Sequence, residues 1–131
     1  MIDHISISVR DYAESRAFYL AALAPLGYTM VMEFTPKERP TLKHTQVGGL
    51  GEGGKPDFWI AQGDVPTSST HLALQARNRA AVDAFYAAAI AAGAKDNGAP
   101  GLRPQYHPNY YGAFVTDPNG HNLEACCHTP G

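Results

Sequence analysis

The chain has 131 residues, 44% of them hydrophobic and 17% charged, with a net charge of −2. That is enough for one well-filled core and too little for a second domain of ordinary size. The scattered Lys and Arg residues form no basic stripe, which argues against nucleic acid; Asp3 and His4 interrupt any leader-like apolar run, and no stretch is long and uncharged enough to span a bilayer. A cytoplasmic protein with no membrane partner is the expectation.

From the N-terminus, "ISISV" alternates apolar and polar residues, the period of a strand covered on one face. A helix from Asp11 to Leu26 follows, with Asp11 as its N-cap and Gly27 as its stop. Three extended pieces come next, "YTMVMEF", "TLKHTQV" and "DFWIAQ". The run "GLGEGG" between the last two has dinucleotide-binding spacing, but Lys55-Pro56 and a strand follow where a helix is required, so a hairpin loop is predicted.

The same order of signals then recurs. "HISISVRDYAESRAFYLAA" and "HLALQARNRAAVDAFYAAA" match with an offset of 67 residues, His4 on His71, Arg10 on Arg77 and Ala17-Phe18-Tyr19 on Ala84-Phe85-Tyr86. Asn78 and Gly93 bound the second helix, and "AKDNG", "YYGAFVT" and "HNLEACC" supply its three strands. Two modules are expected in one domain spanning residues 1–131, the first about 1–65 and the second about 68–131, with the break near "GDVPTSST".

Strand parity then selects residues. Ile5, Ile7 and Val9, Leu72 and Leu74, and Leu123, Ala125 and Cys127 make the apolar faces, leaving His4, His71 and Glu124 on the side away from the helices. "DPNG" suits a type I turn closed by a left-handed glycine, which pairs Asp117 with His121, Val115 with Leu123 and Phe114 with Glu124. Two imidazoles and a carboxylate on one sheet face suit Fe, Mn, Ni, Co or Zn; three unrelated polar residues on a solvated face are the plainer alternative.

On "DHISISVRDYAESRAFYLAALAPLGY", "HLALQA" and "GAFVTDPNGHNLEACCH", the chain resembles the vicinal oxygen chelate superfamily, which contains glyoxalase I, extradiol dioxygenases, fosfomycin-resistance proteins, methylmalonyl-CoA epimerase and bleomycin-binding proteins. The resemblance implies an α+β fold of two tandem βαβββ modules, forming a curved, cup-shaped mixed sheet with helices on its outer face. It implies one divalent metal held by His4, His71 and Glu124, plus a position in "DFWIAQ". There this sequence departs from the glyoxalase pattern, since Phe58, Trp59 or Ile60 stands where a second glutamate is expected and Asp57 lies too near the strand's start. A homodimer is implied as well.

Between the modules' chemistry and solvent, "GLRPQYHPNYYG" concentrates Arg103, Tyr106, His107, Tyr110 and Tyr111 just before Phe114. As a loop over the cup, it offers Arg103 to an anionic group and His107 or Tyr110 as acid or base beside Glu124; Tyr106, Tyr111, Phe114 and Trp59 would line the substrate. As an aromatic loop packed down or against a second subunit, it offers none of these. His44 and His121 are read as surface or outer residues, His128 as too distant to share the metal, and Cys126 and Cys127 as free packing thiols. The expected function is glyoxalase-like isomerase or lyase chemistry on a small substrate; Fe(II) dioxygenase chemistry is the second reading and non-enzymatic sequestration of a small molecule or antibiotic the third.

Overall fold

The computed structural model describes residues 1–35, 37–38, 46–66 and 70–131. Module one runs β1 (Ile5–Val9), α1 (Tyr12–Leu23), a 3-10 turn (Ala24–Leu26), β2 (Thr29–Phe34), β3 (Val47–Glu52) and β4 (Lys55–Gln62). Module two runs β5 (His71–Gln75), α2 (Arg79–Ala91), β6 (Lys95–Leu102), β7 (Tyr111–Thr116) and β8 (Asn122–Cys127). Both are the predicted βαβββ units. Their strands form two separate four-stranded mixed sheets, ordered β1-β4-β3-β2 and β5-β8-β7-β6, each with one parallel pair joining the strands that flank the module.

The helix limits follow from their caps. Asp11 accepts the Glu14 N–H at 3.1 Å and Asn78 accepts the Ala81 N–H at 2.8 Å, while Gly27 and Gly93 take left-handed backbone at the ends. Helix α1 buries Tyr12, Ser15, Phe18, Tyr19, Ala22 and Leu23, and α2 buries Val82, Phe85 and Ala89. Tyr19 sits edge-on to both Phe18 and Phe58, with ring centres 5.0 and 4.9 Å away. One buried cluster takes in the apolar faces of both sheets and both helices.

Two strands differ from expectation. Residues 41–45, part of the expected third strand, and with them His44, lie outside the described residues. The observed β3 begins at Val47 and uses "GLGE" as strand, leaving only Gly53 and Gly54, both at positive φ, as the turn. The glycines serve close packing: Trp59 lies directly over Gly49, where an added Cβ would meet its ring at 2.8 Å. Strand β6 reaches Leu102, well past "AKDNG", tolerating Pro100 because it is an edge strand with irregular pairing to β7.

The turn Asp117–His121 has the predicted register, with Phe114 opposite Glu124 and Val115 opposite Leu123, and Asp117 N–H bonded to the His121 carbonyl at 3.0 Å. It also joins the modules. Tyr19 donates to Asp117 at 2.5 Å, Asn119 accepts the Arg10 N–H at 2.9 Å and donates to Ser15 at 3.0 Å, and His121 Nε2 lies 2.9 Å from the Ser8 carbonyl. His121 is thus 3% exposed rather than a surface residue, since its imidazole satisfies a backbone group of the other module.

Candidate metal and substrate site

Along β8, Leu123, Ala125 and Cys127 belong to the core beneath the helices, while Glu124 projects to the opposite face yet is only 3% exposed. Its cross-strand neighbours explain how a carboxylate fits there. Ala73 stands opposite on β5 and Gly112 stands diagonally across on β7, opposite Cys126. These small residues leave room for two larger side chains to lean in: His71 Nε2 comes within 2.9 Å of Glu124 Oε2, and the Tyr110 hydroxyl donates to Glu124 Oε1. A buried carboxylate is costly unless both oxygens are bonded, and here both are. Burial first, and then this hydrogen bond, holds the Tyr110 phenol well above its ordinary pKa, so it is a donor.

Asn122 was not singled out by the sequence, yet it orients the site. Its Nδ2 lies 3.2 Å from His71 Nδ1, an arrangement in which Nε2 carries the ring proton and donates to Glu124. Turning the amide over makes its oxygen the acceptor of a proton on Nδ1 and frees the Nε2 lone pair, the state a metal ligand requires. Its position directly opposite His71, at the start of β8, was the available signal.

The loop between β6 and β7 folds over this face. Arg103 N–H bonds the Tyr110 carbonyl at 2.7 Å and closes it. His107 accepts the Asn109 N–H at Nδ1, at 3.1 Å, and its Nε2 meets His128 Nδ1 at 2.9 Å with the rings stacked. Tyr110 packs edge-on against Tyr106, His107 and His128. The loop therefore covers Glu124 with Tyr110, while His107 reaches His128 and touches the site only through Tyr110. Cys126, beneath it, has its thiol pKa pushed up by burial.

The remaining expected residues divide. Phe114 pairs with Glu124 and meets the His71 ring edge-on at 6.3 Å; Arg103 lies over Phe114 at 5.3 Å. Tyr106 stands at the loop's surface, 60% exposed. Tyr111, expected to face the substrate, instead bonds Asp83 of α2 at 2.7 Å with Arg79 over its ring, because strand alternation turns it opposite to Tyr110. Trp59 lies in the other sheet, stacked on Phe34, and Asp57 accepts from Tyr28 at 2.7 Å. His4 precedes β1 and pairs with Asp3 at 2.7 Å; within one chain, and among the described residues, no three His, Cys, Asp or Glu side chains converge to hold a metal. A cavity of about 210 Å³ between the start of β1 and β5 is lined by Ile5, Tyr28, Asp57, Phe58, Leu72 and Leu74 among others, and by none of the expected site residues.

Two tandem βαβββ modules, each a four-stranded mixed sheet with one helix, define the fold class. The model of the Glyoxalase/Bleomycin resistance protein/Dioxygenase superfamily matches residues 1–125, and the chain belongs to that superfamily, the vicinal oxygen chelate proteins. It is 25% identical to a glyoxalase/bleomycin resistance protein from Albidiferax ferrireducens T118, with a TM-score of 0.75 over 97% of this chain and 98% of that one. A glyoxalase/bleomycin resistance protein/dioxygenase family enzyme from Burkholderia phytofirmans PsJN shares the fold at 20% identity, a TM-score of 0.69 and 98% of each chain. So does the genomically encoded fosfomycin resistance protein FosX from Listeria monocytogenes, solved with Mn(II) and sulfate, at 19% identity, a TM-score of 0.69 and 98% and 93% coverage. A comparison with curated proteins gives no match.

Proposed function

We propose that this chain is a metal-dependent enzyme of glyoxalase-like type, in which His71, Glu124 and His4 hold a divalent ion for isomerase or lyase chemistry on a small substrate with vicinal oxygens. The observation that carries the reading is the 2.9 Å separation of His71 Nε2 and Glu124 Oε2. A nitrogen and a carboxylate oxygen this close would hold a divalent ion between them with little movement. The donor set is nitrogen and carboxylate oxygen, and Asn122, with its amide turned over, would accept the outer hydrogen bond from Nδ1 that such a histidine needs. Such an ion acts as a Lewis acid on the two substrate oxygens.

His4 is the third ligand, contributed by a second copy in a homodimer, since within one chain it stays with Asp3. This chain's own residues do the rest. Tyr110 fixes the Glu124 carboxylate and offers a proton at its hydroxyl, and Glu124 Oε1 is the place where a proton from the substrate carbon can be taken up. His107, stacked on His128, positions Tyr110. Phe114 lines the adjoining face.

One observation favours Fe(II) dioxygenase chemistry as the second reading. On β4, Phe58 and Ile60 are sunk in the core, Trp59 covers Gly49, and Asp57, the carboxylate of that strand, is taken by the Tyr28 hydroxyl, which leaves the position of the second glutamate of a glyoxalase proton shuttle unfilled. Elemental analysis of protein purified without chelator, beside Glu124→Ala, tests the proposal. About one Fe, Mn, Ni, Co or Zn per chain, lost in the variant, is expected, and the metal found selects isomerase or oxygen-uptake assays. No metal, and none taken up on titration, would move the reading to a small-molecule binder.

A further inference from the structure

The face that carries His71 and Glu124 also carries a cation with no ion-pair partner among the described residues. Arg103 reaches back along β6 from the loop and lays its guanidinium over Phe114, 5.3 Å from the ring centre. Its hydrogen bonds go to neutral groups only, the Ala99 carbonyl at 2.8 Å and the Leu102 carbonyl at 3.4 Å. No described carboxylate forms an ion pair with it; among the described residues the ion pairs join His4 to Asp3, Arg16 to Glu33, His71 to Glu124 and Arg77 to Glu52.

The backbone beneath is shaped for that guanidinium. Gly98 sits opposite Phe114 at a φ of +147°, and a Cβ there would lie 3.1 Å from Phe114 and 3.2 Å from an Arg103 terminal nitrogen. A Cβ at Gly101 would lie 3.2 Å from the other terminal nitrogen. Two strand positions without side chains thus leave a shelf across which the cation lies, with one aromatic ring between it and Glu124. A cation held by carbonyl dipoles on a half-covered surface, with no internal counter-ion, keeps its capacity for a bidentate anion.

On the footing of the metal reading above, we infer that the substrate is an organic anion: its oxygen pair lies at His71 and Glu124, and a carboxylate or comparable acidic group lies at Arg103. Glu124 is on β8 and the guanidinium rests on β6, two strand spacings or about 10 Å apart. Allowing about 2 Å at the metal and about 3 Å at the guanidinium leaves roughly 5 Å. A benzene ring with its substituents, or a chain of four to five carbons along Phe114, fills that span.

The test uses two chelators that share the hydroxamate and the ring and differ only in a para carboxylate, benzohydroxamate and 4-carboxybenzohydroxamate, titrated calorimetrically into the protein supplemented with Mn(II). The carboxylated probe should bind at least tenfold more tightly to the wild type. In Arg103→Gln that advantage should vanish with benzohydroxamate affinity unchanged, and Arg103→Lys should restore part of it. Binding of benzohydroxamate with no gain from the carboxylate, or equal loss of both probes in Arg103→Gln, would overturn the anion site and leave the metal reading standing. Failure of both probes to bind would overturn both.

Discussion

Glu124 is a buried charge with both of its oxygens bonded. A carboxylate 3% exposed in a sheet would be strongly disfavoured alone; a phenol and an imidazole, each admitted by a small neighbour, make it tolerable. Replacing Tyr110 with Phe removes one of the two and should cost about 1–3 kcal/mol in denaturant unfolding, because a buried acceptor loses its donor. Asn122→Leu should instead leave stability close to wild type, since Asn122 is half-buried, while weakening metal uptake by about 10- to 100-fold in a titration, the usual effect of losing an outer-sphere partner. The glutamate itself was readable from sequence, because a lone charge in an apolar strand is conspicuous and parity assigns its face. Asn122 was not, because an amide at a strand's start is ordinary until its neighbour across the parallel pair is known. Tyr110 and Tyr111 show the limit of reading an irregular loop: adjacent tyrosines look alike in sequence, and only the start of β7 at Tyr111 decides that one faces Glu124 and the other Asp83.

At the scale of elements, the β7–β8 hairpin does two jobs, and the sequence displayed one. Its register is local, set by the Asp-Pro-Asn-Gly turn, and was legible for that reason. Its second job is to plug the junction of β1 and α1, through partners about a hundred residues away, and no local signal announces it. Asn119→Ala should destabilise the fold by about 1–3 kcal/mol, since the Arg10 N–H loses its acceptor and Ser15 its donor. The Tyr19 phenol, buried against Asp117, has a pKa raised well above its ordinary value, mainly by burial. A folded-state pKa above the unfolded one means that this stability is fully present below about pH 10 and is lost as pH rises further, at up to about 1.4 kcal/mol per pH unit for one tyrosine. Chemical denaturation from pH 8 to 11 should show that loss, with a shallower decline in Tyr19→Phe.

Over the whole molecule, the repeat accounts for the joint between modules. Glu52 and Asn119 stand one 67-residue repeat apart, and they meet Arg77 and Arg10, which are themselves repeat partners; Glu52 pairs with the Arg77 side chain and Asn119 with the Arg10 backbone. The last β-hairpin of each module thus engages the strand–helix junction of the other. The βαβββ order was legible because periodicity and caps are local and occur twice. The separation of the strands into two sheets was not, because nothing local says whether matching faces close on each other or remain open. His4 and Glu124 share a parity, yet the fold leaves His4 just before β1, beside the first sheet, and Glu124 in the second sheet. A symmetric dimer in which each copy's first module faced the other's second, as proposed above, would bring the two together.

The most direct measurement is metal content in a mixture of two variants, His4→Ala and Glu124→Ala, unfolded together at equal amounts and refolded. Each variant alone should hold almost no metal. If each site takes His4 from one copy and Glu124 from the other, half the dimers are mixed and each has one intact site, so about a quarter of the wild-type metal should return. No recovery above the separate variants, with the mixed dimer shown to form, would contradict a site shared between chains.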